Sequence, residues 1–446
     1  MNTSIGKPES PMPSALMRSA VEGRALLRLL LKLLRLLGVR KKAVTHKVRA
    51  LSKPFDRRIA GLSRRILAAN TKLQHDSVMF LTYQGDFTCN PKYIASELID
   101  RGLGLKLYWA TRENPREVQQ SGNFPNELTL VKRGTYEFYK ACAQSKVFVD
   151  NAHNFIRLGV PKRSGQYLLQ TWHGSLGIKR LDGDVVAGKN WNTKAKKSRR
   201  LTDYVISNSS FESKVFQTSY WEGVPVLNQG HARNDILLSK QHEDDRSCAA
   251  KKARKQLDIP PQTRIAFYAP THRDHADNLN DLTLDYPAIV ATLQARFGGE
   301  WVIVLRFHHR LKPLLETGSG LHEHCTVDAT DYPDIQEIML AADIGITDYS
   351  SWIFDYLLLR KPGFLIAPDL DTFESNRSFY YPIESTPFPL ARSLSELLNN
   401  IKEFDEARYY ENVDKFLADR GCFEQGNAAS LTADTILDLL NPTQKN

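Results

Sequence analysis

From residue 76 onward, short runs of β-branched and aromatic residues alternate with longer stretches of helical periodicity, and this alternation restricts the possible folds more than any other feature of the chain. The strands it predicts are Ser77–Tyr83, Leu105–Thr111, Leu128–Arg133, Lys146–Asp150, Tyr167–Trp172 and Tyr204–Asn208, with helices such as Asn90–Arg101 and Thr135–Gln144 between them. Strands separated by helices build a parallel sheet, because a parallel neighbour needs a crossover long enough to bring the chain back to the same end. A second series follows, with strands at Arg264–Ala269, Trp301–Phe307, Asp343–Thr347 and Gly363–Ala367 and helices at Leu284–Phe297, Ile335–Ala342, Ser350–Leu359 and Leu394–Phe404. The charged stretch Gln241–Gln256 separates the two series. The expectation is an α/β chain of two doubly wound, Rossmann-like domains, residues 76–240 and 241–440, with ligands in the cleft at the carboxyl ends of their strands. No GxGxxG or GxxxxGK[ST] stands at a strand end, so the phosphate-binding signatures of dinucleotide and P-loop proteins are missing.

At 446 residues, with 42% hydrophobic residues, the chain is long enough to bury a core in each domain. Its formal charge of +10 is concentrated at one end. Residues 1–75 hold 17 Lys+Arg against 3 Asp+Glu, whereas residues 76–446 hold 43 against 47. A nucleic-acid binder would carry its basic footprint on the folded domains, so no nucleic-acid partner is expected. Five scattered cysteines form no CxxC, which supplies neither a disulfide framework nor a zinc spacing.

Within the basic end, Ala15 to Leu37 reads as an amphipathic helix with Arg24, Arg28, Lys32 and Arg35 on one stripe and leucines over the rest. Its uncharged runs between Arg24 and Lys41 are no longer than the four residues Leu36–Val39, against the roughly 20 apolar residues that a bilayer span requires. Residues 1–75 are therefore expected to lie on an anionic membrane surface, at the cytoplasmic face. The competing reading is a helix packed on the protein's own body.

Four motifs stand at strand ends. Thr171-Trp172-His173-Gly174 is followed by Lys179-Arg180, which offers an imidazole for general-base work and cations for phosphate. Tyr268-Ala269-Pro270-Thr271-His272-Arg273 and Leu305-Arg306-Phe307-His308-His309-Arg310 end two strands of the second series. His308 and His309 are neighbours on an extended chain and point to opposite faces, so an anion site with Arg306 fits better than a shared metal ion. In Ile346-Thr347-Asp348-Tyr349-Ser350-Ser351, hydroxyls and free N–H groups open a helix, a ready anion site, although plain N-capping by Ser350 or Asp348 would use the same residues. Taken singly, each motif has an ordinary structural explanation.

Taken together and in order, TWHGSLGIKRL, the Gly230-His231-Ala232-Arg233-Asn234-Asp235 segment, YAPTHRD, LRFHHR and ITDYSSWIFDY resemble the CDP-glycerol glycerophosphotransferase family, which includes the teichoic acid polymerases. Gly85 to Ile94 is similar to the family's asparagine-proline element, and the resemblance runs from about residue 77 to 425. It implies a two-domain GT-B fold, with the first domain on the acceptor side and the second binding a CDP donor. The activity implied is transfer of a polyol phosphate, glycerol phosphate first among them, from a CDP-activated donor to a hydroxyl of a membrane- or lipid-linked acceptor. CMP is released, and the product is a teichoic-acid-like or capsular polymer. By the same resemblance His173 is the general base and His308 a second catalytic histidine. Arg273, Arg306, Asp348, Ser350 and Ser351 bind the donor, and Lys179 and Arg180 contact acceptor or phosphate. No metal site and no tightly bound cofactor are expected, with a divalent ion carried by the donor left open. Two alternatives stay open: a GT-B glycosyltransferase using a nucleotide sugar, and an inactive scaffold at the membrane surface.

Overall fold

Runs such as Val78–Leu81 and Val147–Val149 are apolar on both sides of the strand and completely buried, as they must be in a sheet covered by helices on both faces. The structure, a computed structural model, describes residues 15–36, 42–181, 184, 189–238, 243–271, 284–307 and 324–441. The first sheet comprises β1 (Gln74–Leu81), β2 (Lys106–Thr111), β3 (Leu128–Lys132), β4 (Ser145–Asp150), β5 (Tyr167–Gln170), β6 (Tyr204–Ser207) and β7 (Val226–Asn228). All are parallel, in the order β3-β2-β1-β4-β5-β6-β7. The second sheet, also parallel, comprises β8 (Arg264–Tyr268), β9 (Trp301–Leu305), β10 (Thr326–Asp328), β11 (Ile344–Thr347), β12 (Gly363–Ile366) and β13 (Leu390–Ala391), in the order β10-β9-β8-β11-β12-β13. Both orders reverse next to the first strand of the sheet, between β1 and β4 and between β8 and β11. Those reversals open the crevices in which doubly wound folds hold ligands.

Three strands, β7, β10 and β13, have no counterpart in the sequence reading. Each has two or three residues, too few to display a period. The stretch read as a separator is a helix, Glu243–Gln256. It belongs to the second half, where Arg254 donates to the Ala341 carbonyl (3.2 Å) and Lys252 pairs with Glu337 (2.9 Å). The last described helix, Ala428–Leu440, crosses back to the first sheet. Its Ala429, Ala433, Ile436 and Leu440 share one core with Val78, Ile94 and Trp109. Lys146 donates to the Leu440 carbonyl (2.8 Å), and Asp235 accepts from Ala428 N and Ala429 N (2.9 and 2.7 Å).

The N-terminal region forms a helical layer of α1 (Ala15–Val21), α2 (Ala25–Leu36) and α3 (Lys42–Asn70). Its inner face is docked on the first half. Val21 and Leu67 belong to the core built by Phe138, Phe148 and Leu168. Arg64 donates to the Val21 and Leu158 carbonyls (2.9 and 3.3 Å) and lies over the Tyr139 ring. Asp56 of α3 caps α2 by accepting from Leu26 N and Leu27 N (2.8 and 3.3 Å). The outer face of α3 carries Phe55, Ile59, Leu62 and Ile66, all exposed, at the 3.6-residue period of one helical stripe. The packed-helix reading is thus realised on the inner face, while the outer face presents an exposed apolar stripe. No helix among the described residues is long and apolar enough to cross a membrane.

Candidate active site

A cleft of about 2380 Å³ opens between the two halves, lined by the loops after β1, β4 and β5 on one side and after β8, β9 and β11 on the other. His173 projects into it from the turn after β5. That turn is strained, because Trp172 sits at φ +52°, a left-handed backbone that a bulky side chain rarely adopts. Surrounding amides hold it in place. Gln170 Oε1 accepts from Trp172 N (2.9 Å), and the buried Asn90 donates its Nδ2 to the Thr171 and Trp172 carbonyls (3.0 and 3.3 Å). Adding a Cβ at Gly174 would bring it to 2.9 Å from the Trp172 indole nitrogen, so only glycine fits after the histidine.

The tautomer of His173 follows from its neighbour. Nδ1 lies 2.6 Å from the Asn151 carbonyl oxygen, which can only accept. Nδ1 therefore carries the proton and Nε2 presents a lone pair. Desolvation by the protein around the cleft floor lowers its pKa to about 4, with Arg233 and Lys179 adding to the shift against the hydrogen bond to Asn151. The ring itself is open to the cleft. The direction is what matters: His173 is a neutral base at neutral pH.

The other expected residues divide. Ser350 and Ser351 line the cleft opposite His173, and Ser351 Cβ comes within 3.2 Å of where a Cβ on Gly177 would stand, so the two halves approach closely here. Ser351 occupies the N-cap position of the helix Trp352–Tyr356 without a side-chain capping bond. Arg306 also lines the cleft, donating to the Tyr332 carbonyl, and desolvation lowers its pKa against the pull of Asp334 and Asp86. Asp348 is elsewhere. It is buried, and its Oδ1 accepts from Thr271 N (2.8 Å) and Tyr349 N (2.5 Å), which makes it a brace between the loops after β8 and β11 rather than a group facing the cleft. Lys179 and Arg180 reach the cleft, but the segment is also a bridge between halves. Lys179 pairs antiparallel with Phe379, and Arg180 Nε donates to the Phe379 carbonyl (3.1 Å). Arg273 and His308 lie outside the described residues.

The sequence reading missed the network beneath His173. Arg233, 3% exposed, pairs with Asp355 of the second half (Nε to Oδ2, 2.8 Å) and donates to the Gly174 carbonyl (2.5 Å). Asn90 Oδ1 accepts from Arg233 N (3.1 Å). Asn234 donates to Asp355 (3.1 Å) and to Glu424 (2.8 Å), whose pKa is raised to about 7 by desolvation. The only signal available was the occurrence of the Arg233-Asn234-Asp235 and Phe354-Asp355-Tyr356 motifs with no assigned role. His153 was missed as well. It sits between Tyr220 and the indoles of Trp172 and Trp221, where burial, with His173 and Arg157 adding, lowers its pKa to about 4. Among the described residues no group of three or more His, Cys, Asp or Glu is arranged to hold a metal ion.

Two Rossmann-like halves facing a cleft, with a neutral histidine on one rim and serines and an arginine on the other, form a GT-B-type architecture. Residues 64–438 match the family described as CDP-glycerol:poly(glycerophosphate) glycerophosphotransferase, and the chain belongs to that family. It is 29% identical over 379 residues to the teichoic acid poly(glycerol phosphate) polymerase of Staphylococcus epidermidis, covering 81% of this chain and 50% of that one. To the corresponding polymerase of Bacillus subtilis it is 27% identical over 420 residues, covering 89% and 54%. The chain thus spans about half the length of these relatives. Its fold is similar to the solved structure of the wall teichoic acid polymerase TagF, with a TM-score of 0.74 at 25% identity, over 91% of this chain and 100% of that one.

Proposed function

We propose that the protein transfers glycerol phosphate from CDP-glycerol to a hydroxyl of a lipid-linked, teichoic-acid-like acceptor at the cytoplasmic face of a membrane. The observation that carries this reading is the fixed tautomer of His173: a neutral Nε2 lone pair on a rigid turn, facing Ser350, Ser351 and Arg306 across a cleft between two Rossmann-like halves. In the proposed step the acceptor oxygen attacks the β-phosphorus while Nε2 takes its proton. A new P–O bond forms, the P–O bond to the α-phosphate breaks, and CMP leaves. Negative charge builds on the leaving group, where Arg306 and the serine hydroxyls would meet it, together with Arg273 and His308. The half containing the first sheet would take the acceptor and the half containing the second the CDP donor. The exposed stripe of α3, flanked by Lys53, Arg57, Arg58 and Arg65, supports placement against an anionic bilayer.

Donor choice tests the reading. Incubation with CDP-glycerol, CDP-ribitol and UDP-glucose, each with a lipid-linked acceptor, is expected to release CMP from a CDP-polyol and no UDP from the sugar nucleotide. UDP release with sugar transfer would establish the glycosyltransferase alternative instead.

A further inference from the structure

Away from the cleft, a second cavity of about 1010 Å³ lies between the helical layer and the first half. Its walls are α3, the turn between α1 and α2, the loop 159–162 and the end of the helix Lys189–Leu201. Its lining is dominated by cations. Two of these are engaged locally: Arg64 as described above, and Lys162, which pairs with Asp203 (2.5 Å) and donates to the Leu201 carbonyl (2.7 Å). Lys53, Arg57, Arg65, Lys197 and Arg200 have no ion-pair partner among the described residues. The two carboxylates on the wall are occupied elsewhere, Asp56 in capping α2 and Glu22 against Arg28 at 3.5 Å. The groove therefore gathers positive charge that its own walls do not neutralise.

We propose that this groove is a binding site for the phosphate of an anionic lipid headgroup, separate from the catalytic cleft. Guanidinium groups match phosphate oxygens in pairs, and Arg57, Arg65 and Arg200 line one space. The volume exceeds what a bare phosphate needs and suits a phosphate with its esterified headgroup. Helical periodicity selects a lipid over a soluble phosphate as the source. Arg65, with Arg58 beside it, falls on the arc of α3 between the groove and the exposed stripe of Phe55, Ile59, Leu62 and Ile66. A lipid with its acyl chains beside the stripe would bring its headgroup to the mouth of the groove. The proposal rests on the membrane-facing reading of α3, and the two are separable by experiment.

The full chain is titrated calorimetrically with short-chain dihexanoyl-phosphatidylglycerol below its micellar concentration, with the phosphatidylcholine analogue and with inorganic phosphate. The same titrations use a groove variant, Arg57→Gln/Lys197→Gln/Arg200→Gln, and a control that removes equal charge away from the groove and the stripe, Arg24→Gln/Lys32→Gln/Lys72→Gln. Saturable binding of one phosphatidylglycerol per chain is expected, weakened about 100-fold in the groove variant and only a few-fold in the control. Equal weakening in both variants would reduce the effect to diffuse surface charge and overturn the proposal. So would phosphatidylcholine binding as tightly as phosphatidylglycerol, or inorganic phosphate alone saturating the site at the same concentration. Sedimentation of a Phe55→Ser/Leu62→Ser variant with phosphatidylglycerol vesicles checks the membrane-facing reading separately. If it sediments as well as the parent, that reading fails while the titration still decides the headgroup site.

Discussion

His173 is held as a neutral imidazole by where its turn places it, and the placement is legible only in three dimensions. The Asn151 carbonyl fixes the proton on Nδ1, and desolvation with the nearby cations holds the pKa below its ordinary 6.5, at about 4. The neutral, competent form is thus kept as pH falls through 6.5 and is lost only on approach to the lowered value. The kcat/KM for transfer should show no acid limb near pH 6.5, with any limb due to His173 lying nearer 4; a limb centred at 6.5 that disappears in His173→Gln would refute the lowered pKa. The same lowering makes the neutral ring a stabilising feature at neutral pH, one that fades as pH falls from 6.5 toward 4. Asn90 extends the argument one residue outward. Its amide closes three hydrogen bonds, two of them to the strained turn. Asn90→Ala should lower kcat about 10- to 100-fold with donor KM nearly unchanged, because it releases the turn rather than the donor. A purely structural role would instead lower the melting temperature, by the equivalent of about 1–3 kcal/mol, with kcat intact in the fraction that remains folded. The motifs marked His173 and, within the asparagine-proline element, Asn90, but not what Asn90 holds, because its partners lie 81 to 143 residues away.

Among the elements, the central strands of both sheets were readable because burial on both faces produces continuous apolar runs. The short strands β7, β10 and β13 were not, since each has at most three residues and their pairing is set by a neighbour already in place. The helix Trp352–Tyr356 shows how far a motif carries. Its serines read equally as caps or as phosphate ligands, and the structure finds no capping bond from Ser351. Replacing Ser350 and Ser351 together by Ala should therefore shift stability by no more than about 0.5 kcal/mol while weakening CDP-glycerol binding. Thermal melts beside a calorimetric titration separate this from a capping role, which would cost about 0.5–2 kcal/mol at unchanged affinity. Periodicity identified an amphipathic helix over Ala15 to Leu37 but not α3, whose inner face completes a core. A chain beginning near Leu73 loses Leu67 and Ala68, buried residues whose absence opens the core around Phe138. It should melt at lower temperature than the full chain in differential scanning calorimetry, by an amount corresponding to about 2–5 kcal/mol for the leucine alone. An unchanged melting temperature would mean that the layer is an appendage.

For the molecule as a whole, the two halves are joined by more than a linker. The buried Arg233–Asp355 pair, the segment around Lys179 and Arg180, and the returning helix Ala428–Leu440 all cross between them. Removing one partner of such a buried pair costs about 3–5 kcal/mol, so the relative position of the halves is strongly held. Arg233 also holds the Gly174 carbonyl, which links that position to the loop bearing His173. The two parallel α/β layers were legible from the alternation of strands and helices, whereas the return of the last helix was not, because nothing in its own sequence says which sheet it covers. The most direct test of the proposed activity is CMP release from CDP-glycerol, measured with and without a lipid-linked acceptor, for the parent protein and for His173→Ala. The proposed mechanism predicts acceptor-dependent release, with an acceptor product enlarged by glycerol phosphate, falling about 100- to 10,000-fold in the variant while CDP still binds. Release at the parent rate from His173→Ala, or no acceptor-dependent release from the parent, would contradict it.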